Sequence, residues 1–186
     1  MGKSTLILYK SKTDFTKRYA NIIAKETGGT AMDYKEGTPK LLTSFDRIIF
    51  GSRMHAGRID GLSKARSLFQ KNGIKLSALF ITGAMPNTEV EVIEEMWKNN
   101  LTSEELARLP HFYMQSGLCY EKMNFIDKTM MRVFSFMMKQ KKHKTPEEIL
   151  FSEILARSYD ISSEEYVQPL LRYLTEDSSV KEHQKM

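Results

Sequence analysis

Residues 5–24 read TLILYKSKTDFTKRYANIIA, and the fold follows from how that stretch divides. Leu6-Ile7-Leu8-Tyr9 is an apolar run long enough for one buried strand. Ser11-Lys12-Thr13-Asp14-Phe15-Thr16 is a loop dense in hydroxyls. Beyond it Phe15, Tyr19, Ile22 and Ile23 fall on one face at helical spacing. Strand, polar loop and helix in that order set a helix N-terminus beside the carboxyl end of a parallel strand. Such a junction suits phosphate, because unpaired amides and the positive end of the helix dipole point the same way.

The alternation continues. Gly28-Gly29 stops the helix and Thr30-Ala31-Met32 makes a short second strand. Residues 47–51, apolar and β-branched, read as a third strand covered on both faces. A helix over 62–70, a strand over 76–82, helices over 89–98 and from Thr102, and a strand over 111–115 follow. Thr102 and Glu105 have the spacing of a capping box. This pattern predicts an α/β protein: a three-layer, doubly wound, parallel five-stranded sheet of order 2-1-3-4-5. Residues 1–175 are expected to form one domain, with 176–186 a polar tail that frays.

Past Gly117 the pattern changes to a basic, Met- and Phe-rich insertion over 117–144, with one helix over 124–142. On its wheel Ile126, Met130, Met131, Val133, Phe134, Met137 and Met138 share a side expected to face the core. Phe125 and Phe136 sit opposite, among Lys128, Arg132 and Lys139. Aromatics between cations fit an anionic membrane or an acidic partner, unless a tertiary neighbour covers both phenyls. A basic cluster over 139–144 follows, and Thr145-Pro146-Glu147-Glu148 restarts a helix. Ser162 to Glu165 repeats the capping device before a last helix, which Pro169 is expected to kink.

Composition narrows the class. The 186 residues are 41% hydrophobic and 27% charged, an ordinary balance for a folded domain. No apolar run approaches the roughly 18 residues of a membrane span, and no signal-like core precedes the first strand. Cys119 is the single cysteine, so no intramolecular disulfide forms and a cytoplasmic setting is expected. Cys119 itself reads as a small buried hydrophobe. The net charge of +5 favours acidic partners, with no nucleic acid expected. Gly2-Lys3-Ser4-Thr5 imitates the end of a Walker loop, but neither the upstream glycine nor a preceding strand exists. His55 and His111 lack metal-ligand spacing, and no metal is assigned.

Ser11, Thr13 and Thr16 match the [ST]-x-T-G-x-T loop of flavodoxins, and in these residues the chain resembles that family. The resemblance implies a flavodoxin-like fold and FMN as cofactor, its phosphate held by Ser11, Lys12, Thr13, Asp14, Phe15 and Thr16. Asp14 stands where flavodoxins carry Gly; its carboxylate is expected to turn away and cap the helix. By the same resemblance the loop Ser52-Arg53-Met54-His55-Ala56-Gly57 presents residues to the flavin ring, and Thr82-Gly83-Ala84-Met85 lines its other side. Gly51 and Gly57 would let backbone approach the ring. Arg53, His55 and Arg58 would stabilise the anionic reduced ring, since a cation at about 4 Å contributes about 4 kcal/mol at an effective dielectric near 20.

A flavodoxin-like fold with a basic, Met- and Phe-rich insertion is most similar to the menaquinone-dependent protoporphyrinogen oxidase branch. Tyr9-Lys10-Ser11, residues 45–52, and Gly117 through Tyr120 into Asp127-Lys128 carry that likeness. It implies an oxidoreductase passing electrons between FMN and an apolar substrate or quinone. Phe125, Lys128, Arg132, Phe136 and Lys139 would be its partner or membrane face, on the inner side of the membrane. An FMN electron carrier docking on a partner enzyme, and a flavin-free binding domain of the same shape, are the rival readings. A phosphorelay receiver is excluded, because no acidic pair follows strand one and strand three ends at Gly51 rather than Asp.

Overall fold

The computed structural model describes residues 4–140, 149, 153–155 and 157–183. Strand β1 (Thr5–Tyr9) is buried along its whole length. It pairs in parallel with β2 (Thr30–Asp33) on one side and β3 (Arg47–His55) on the other. Beyond β3 lie β5 (Ala78–Gly83) and β6 (His111–Gln115), both parallel, giving the order β2-β1-β3-β5-β6. This is the doubly wound 2-1-3-4-5 arrangement once the short β4 (Arg58–Ile59) is left out of the count. β4 pairs antiparallel to the end of β3.

Alternate side chains feed two cores, as a strand's period of two requires. Leu6, Leu8, Ile48, Phe50, Leu79 and Ile81 face α3 (Leu62–Lys71) and Trp97 of α4 (Val90–Lys98). Ile7, Ile49, Ala78, Phe80 and Met114 face α1 (Phe15–Thr27) and α7 (Gln168–His183). Short helices α2 (Pro39–Leu42) and α5 (Ser103–Arg108) complete the connections, and α5 carries the expected Thr102–Glu105 capping box. Both faces of the sheet are therefore covered without the insertion.

Gly51 has a packing reason rather than a ligand one. The Phe80 ring lies over it, and an added Cβ would stand 2.1 Å from Phe80 Cζ. Gly57 belongs to a two-residue turn, Ala56-Gly57, with φ of 48° and 74°. That turn makes residues 52–55 strand rather than the expected loop, because positive φ at both positions matches hairpin twist. Pro169 does not kink α7: as its second residue, Pro needs no helical hydrogen bond there. The cap expected from Ser162 falls instead on Ser163, whose hydroxyl accepts from the Glu165 amide in a preceding 3₁₀ turn.

The insertion leaves and returns through a two-stranded ribbon, β7 (Gly117–Leu118) against β8 (Tyr159–Asp160). Tyr120 N–H donates to Ser158 Oγ at 2.8 Å and Tyr120 O–H to the Leu155 carbonyl at 2.6 Å, closing its base. Within it α6 (Phe125–Gln140) hangs over the carboxyl ends of the strands instead of packing on a sheet face. The expected core side is consequently open: Ile126, Val133 and Met137 are 69%, 53% and 64% exposed. The helix restart at 145–148 and the basic stretch 141–144 lie outside the described residues.

Replacing Gly51 by Ala should cost about 1–3 kcal/mol through overpacking against Phe80. Thermal unfolding reads this as about 2–4 °C per kcal/mol for a chain of this size. A Gly51→Ala/Phe80→Leu double variant should recover much of the loss; an unchanged melting temperature for Gly51→Ala alone would contradict the packing account.

Candidate functional site

At the carboxyl end of β1 the chain turns through Asp14, whose φ of 66° is left-handed. Asp is one of the few side chains that tolerate this. The expected cap is not made: the Asp14 side chain accepts no amide of α1. Its carboxylate accepts instead from Lys122 Nζ of the insertion. The first amide to enter the helical ladder is that of Arg18, which donates to Asp14 O at 2.9 Å. The preceding amides lie outside that ladder, as at any helix start.

Two buried hydroxyl features mark this end of the sheet. Ser11 Oγ is buried and has no hydrogen-bond partner among the described residues. A buried polar atom left so costs about 1–3 kcal/mol, which a ligand atom would relieve. Thr16 Oγ1 and Thr82 Oγ1 lie 2.9 Å apart, both buried. A hydroxyl pair uses one proton between them, so one O–H remains to donate to a third atom. The loop thus offers neutral donors and has its one carboxylate turned outward, a set that fits a phosphate monoester.

A cavity of about 870 Å³ opens beside this loop, within the range of small-molecule sites. Thr13 and Phe15 of the loop line it, as do Arg53 through Gly57 of the hairpin and Thr82 through Met85 after β5. Ser11, Lys12, Asp14, Thr16 and Ser52 do not. Ser52 is fully buried and spends its hydroxyl on the Asp60 carbonyl at 2.5 Å, so it holds the hairpin rather than a ligand. The far wall is α6, and sequence reasoning missed it by assigning its apolar side to the core. Met130, Met131, Phe134 and Met137 all line the cavity, joined by Met96 and Met123. Cys119, expected to be buried, is half-buried on the same wall, with Sγ 3.4 Å from Glu121 Oε2.

The cations expected around a ring are largely spoken for. Arg53 Nε meets Asp60 Oδ2 at 3.2 Å, and Lys10 Nζ meets Asp60 Oδ1 at 2.7 Å. Arg58 points elsewhere, donating to the Asn99 carbonyl at 2.9 Å. His55 Nε2 lies 2.8 Å from Asp127 Oδ1, while Lys12 Nζ lies 2.9 Å from Asp127 Oδ2. Asp60 is thus shared by Lys10 and Arg53, and Asp127 by Lys12 and His55, so the cations near the cavity are partly offset by carboxylates. Of the basic and aromatic face, Phe125 and Phe136 are 80% and 62% exposed, and Phe125 also lines the cavity. Arg132 is exposed and Lys128 half-buried; the Lys139 side chain lies outside the described residues.

Asp127 stands in the first turn of α6, where the Asn124 side chain accepts its amide at 2.7 Å. It pins the helix to the loop after β1 through Lys12 and to the hairpin through His55. Burial alone would push the Asp127 carboxyl up, but the hydrogen bonds from His55 and Lys12 outweigh it and hold it below the usual range. A depressed carboxyl stabilises the fold above its unfolded value, near 3.9, and that contribution disappears as pH falls through the lower folded value.

The pin therefore holds at neutral pH and is lost in acid. Asp127→Asn should speed hydrogen exchange in the first turns of α6 about tenfold and leave β1 unchanged. Wild-type protection there, corrected for intrinsic rates, should hold down to about pH 4 and fall below it. Protection indifferent to both changes would contradict the pin.

The flavodoxin domain family model matches residues 6–146. A flavodoxin-like WrbA-like protein of Agrobacterium tumefaciens aligns at 16% identity over 67% of this chain and 87% of its own, with TM-score 0.39. A flavodoxin from the domain Archaea aligns at 10% identity over 82% and 94%, with TM-score 0.41. Oxidised Flavodoxin 1 from Bacillus cereus aligns at 16% identity over 74% and 98%, with TM-score 0.39. No curated protein matches the chain in sequence.

Proposed function

The chain belongs to the flavodoxin domain family, and from that premise we propose that it binds FMN and passes electrons to or from an apolar substrate of the quinone class. The observation that carries this is the cavity itself. It opens beside a loop built for phosphate and is closed opposite by the methionines of α6.

Ser11, the amides at the start of α1 and the Thr16–Thr82 hydroxyl pair would hold the phosphate. Residues 54–57 and 83–85 would flank the ring. Bound there, FMN supplies reversible one- and two-electron transfer. The chain's own work is to exclude water and to accept a flat or flexible apolar molecule. Methionine suits that wall, since an unbranched thioether moulds to varied shapes. Arg53 and Asp127 at the cavity's edge each meet an opposite charge, at Asp60 and Lys12, which lessens the field that an uncharged substrate meets.

The outer side of α6 extends the reading to a surface. Phe125 and Phe136, exposed beside Lys128 and Arg132, suit peripheral contact with an anionic membrane, where an apolar quinone resides. Among the described residues no helix is long and apolar enough to cross one.

The test is reoxidation of anaerobically reduced, FMN-loaded protein by a short-chain naphthoquinone, free in water or carried in anionic vesicles. Wild type should turn over both without a partner protein. Met130→Lys should lower kcat/KM at least about tenfold in both, since charge in an apolar wall is costly. Phe136→Ser, outside the cavity lining, should slow only the vesicle reaction. Reoxidation that requires an added partner would favour the carrier reading instead.

A further inference from the structure

Both charged residues of the phosphate loop are held by the insertion. Lys12 reaches Asp127 in α6. Asp14 is held by Lys122, which sits in the 3₁₀ turn Tyr120–Lys122 between β7 and α6. The four charges form two pairs, so the loop presents neither a free cation nor a free acid.

Asp14 has two uses for its carboxylate. A side-chain oxygen just before a helix ordinarily accepts the amides of the first turn. Those same amides are what an anion at a helix start uses. A self-capped Asp14 would therefore occupy the phosphate's own donors and set a negative charge against it. In the structure that cap is absent, and the carboxylate faces Lys122.

We infer that Lys122 is a positioning residue for phosphate recognition: it draws the Asp14 carboxylate off the helix start and neutralises it, so the loop admits a phosphate monoester. The inference rests on the FMN reading above. It makes cofactor affinity depend on the insertion, although Lys122 does not line the cavity. Both partners are substantially exposed, at 47% and 60%. The effect is therefore moderate and weakens with salt.

Titrating the full chain with FMN and with riboflavin, by quenching of flavin fluorescence, separates the possibilities. At low salt Lys122→Ala should weaken FMN about three- to tenfold and leave riboflavin unchanged, because only FMN carries the phosphate. Lys122→Arg, which keeps the charge, should restore FMN binding. Asp14→Asn keeps a residue that tolerates left-handed backbone. In that background Lys122→Ala should change FMN affinity less than about twofold. The inference is overturned if Lys122→Ala binds FMN as wild type does, weakens both flavins alike, or acts undiminished in the Asp14→Asn background. Wild-type protein that ignores FMN, or binds it no better than riboflavin, would overturn the FMN reading as well.

Discussion

The left-handed turn at Asp14 is the constraint on which the rest depends. It lies between the end of β1 and the start of α1, so the helix start faces the open ends of β1, β3 and β5. Glycine meets that backbone requirement without a side chain. Asp meets it too, at the cost of a carboxylate close to any anion. The consequence runs through the molecule, because the acid must be held elsewhere and the insertion holds it. What looks in the sequence like a defect in a phosphate loop becomes a reason for the insertion to dock where it does.

The cavity has a similar origin in packing. α1 and α7 cover one face of the sheet, α3 and α4 the other, and no apolar sheet surface is left for α6. A helix this rich in Met and Phe must find other cover. One of its sides closes on the space at the strand ends, and another stays open to surroundings. Among the described residues, Asp127 to Lys12 and His55, and Lys122 to Asp14, tie its beginning to the sheet's end.

The sheet was legible because burial on both faces gives unbroken apolar runs, as in residues 6–9 and 47–51, and turn residues mark their ends. The capping box at Thr102 is likewise a local signal and stands as read. Long-range choices were not legible. Nothing in the sequence says that the Asp14 carboxylate, free to cap its own helix, finds an ammonium 108 positions away. Nor does a helical wheel say whether an apolar stripe meets a core or a cavity, since both call for the same residues. The β3–β4 hairpin was missed because Ala56 takes a positive φ that sequence statistics reserve for Gly, Asn or Asp. Gly51 was given a ligand role because its true neighbour, Phe80, lies on another strand.

The account's central claim is that neutral donors at the end of β1 hold a phosphate-bearing flavin. The most direct measurement is the visible absorption spectrum of unheated purified protein, before and after equilibrium dialysis against FMN at about micromolar concentration. A flavin spectrum approaching one FMN per chain is the expected result. A colourless protein that takes up no FMN would contradict the account.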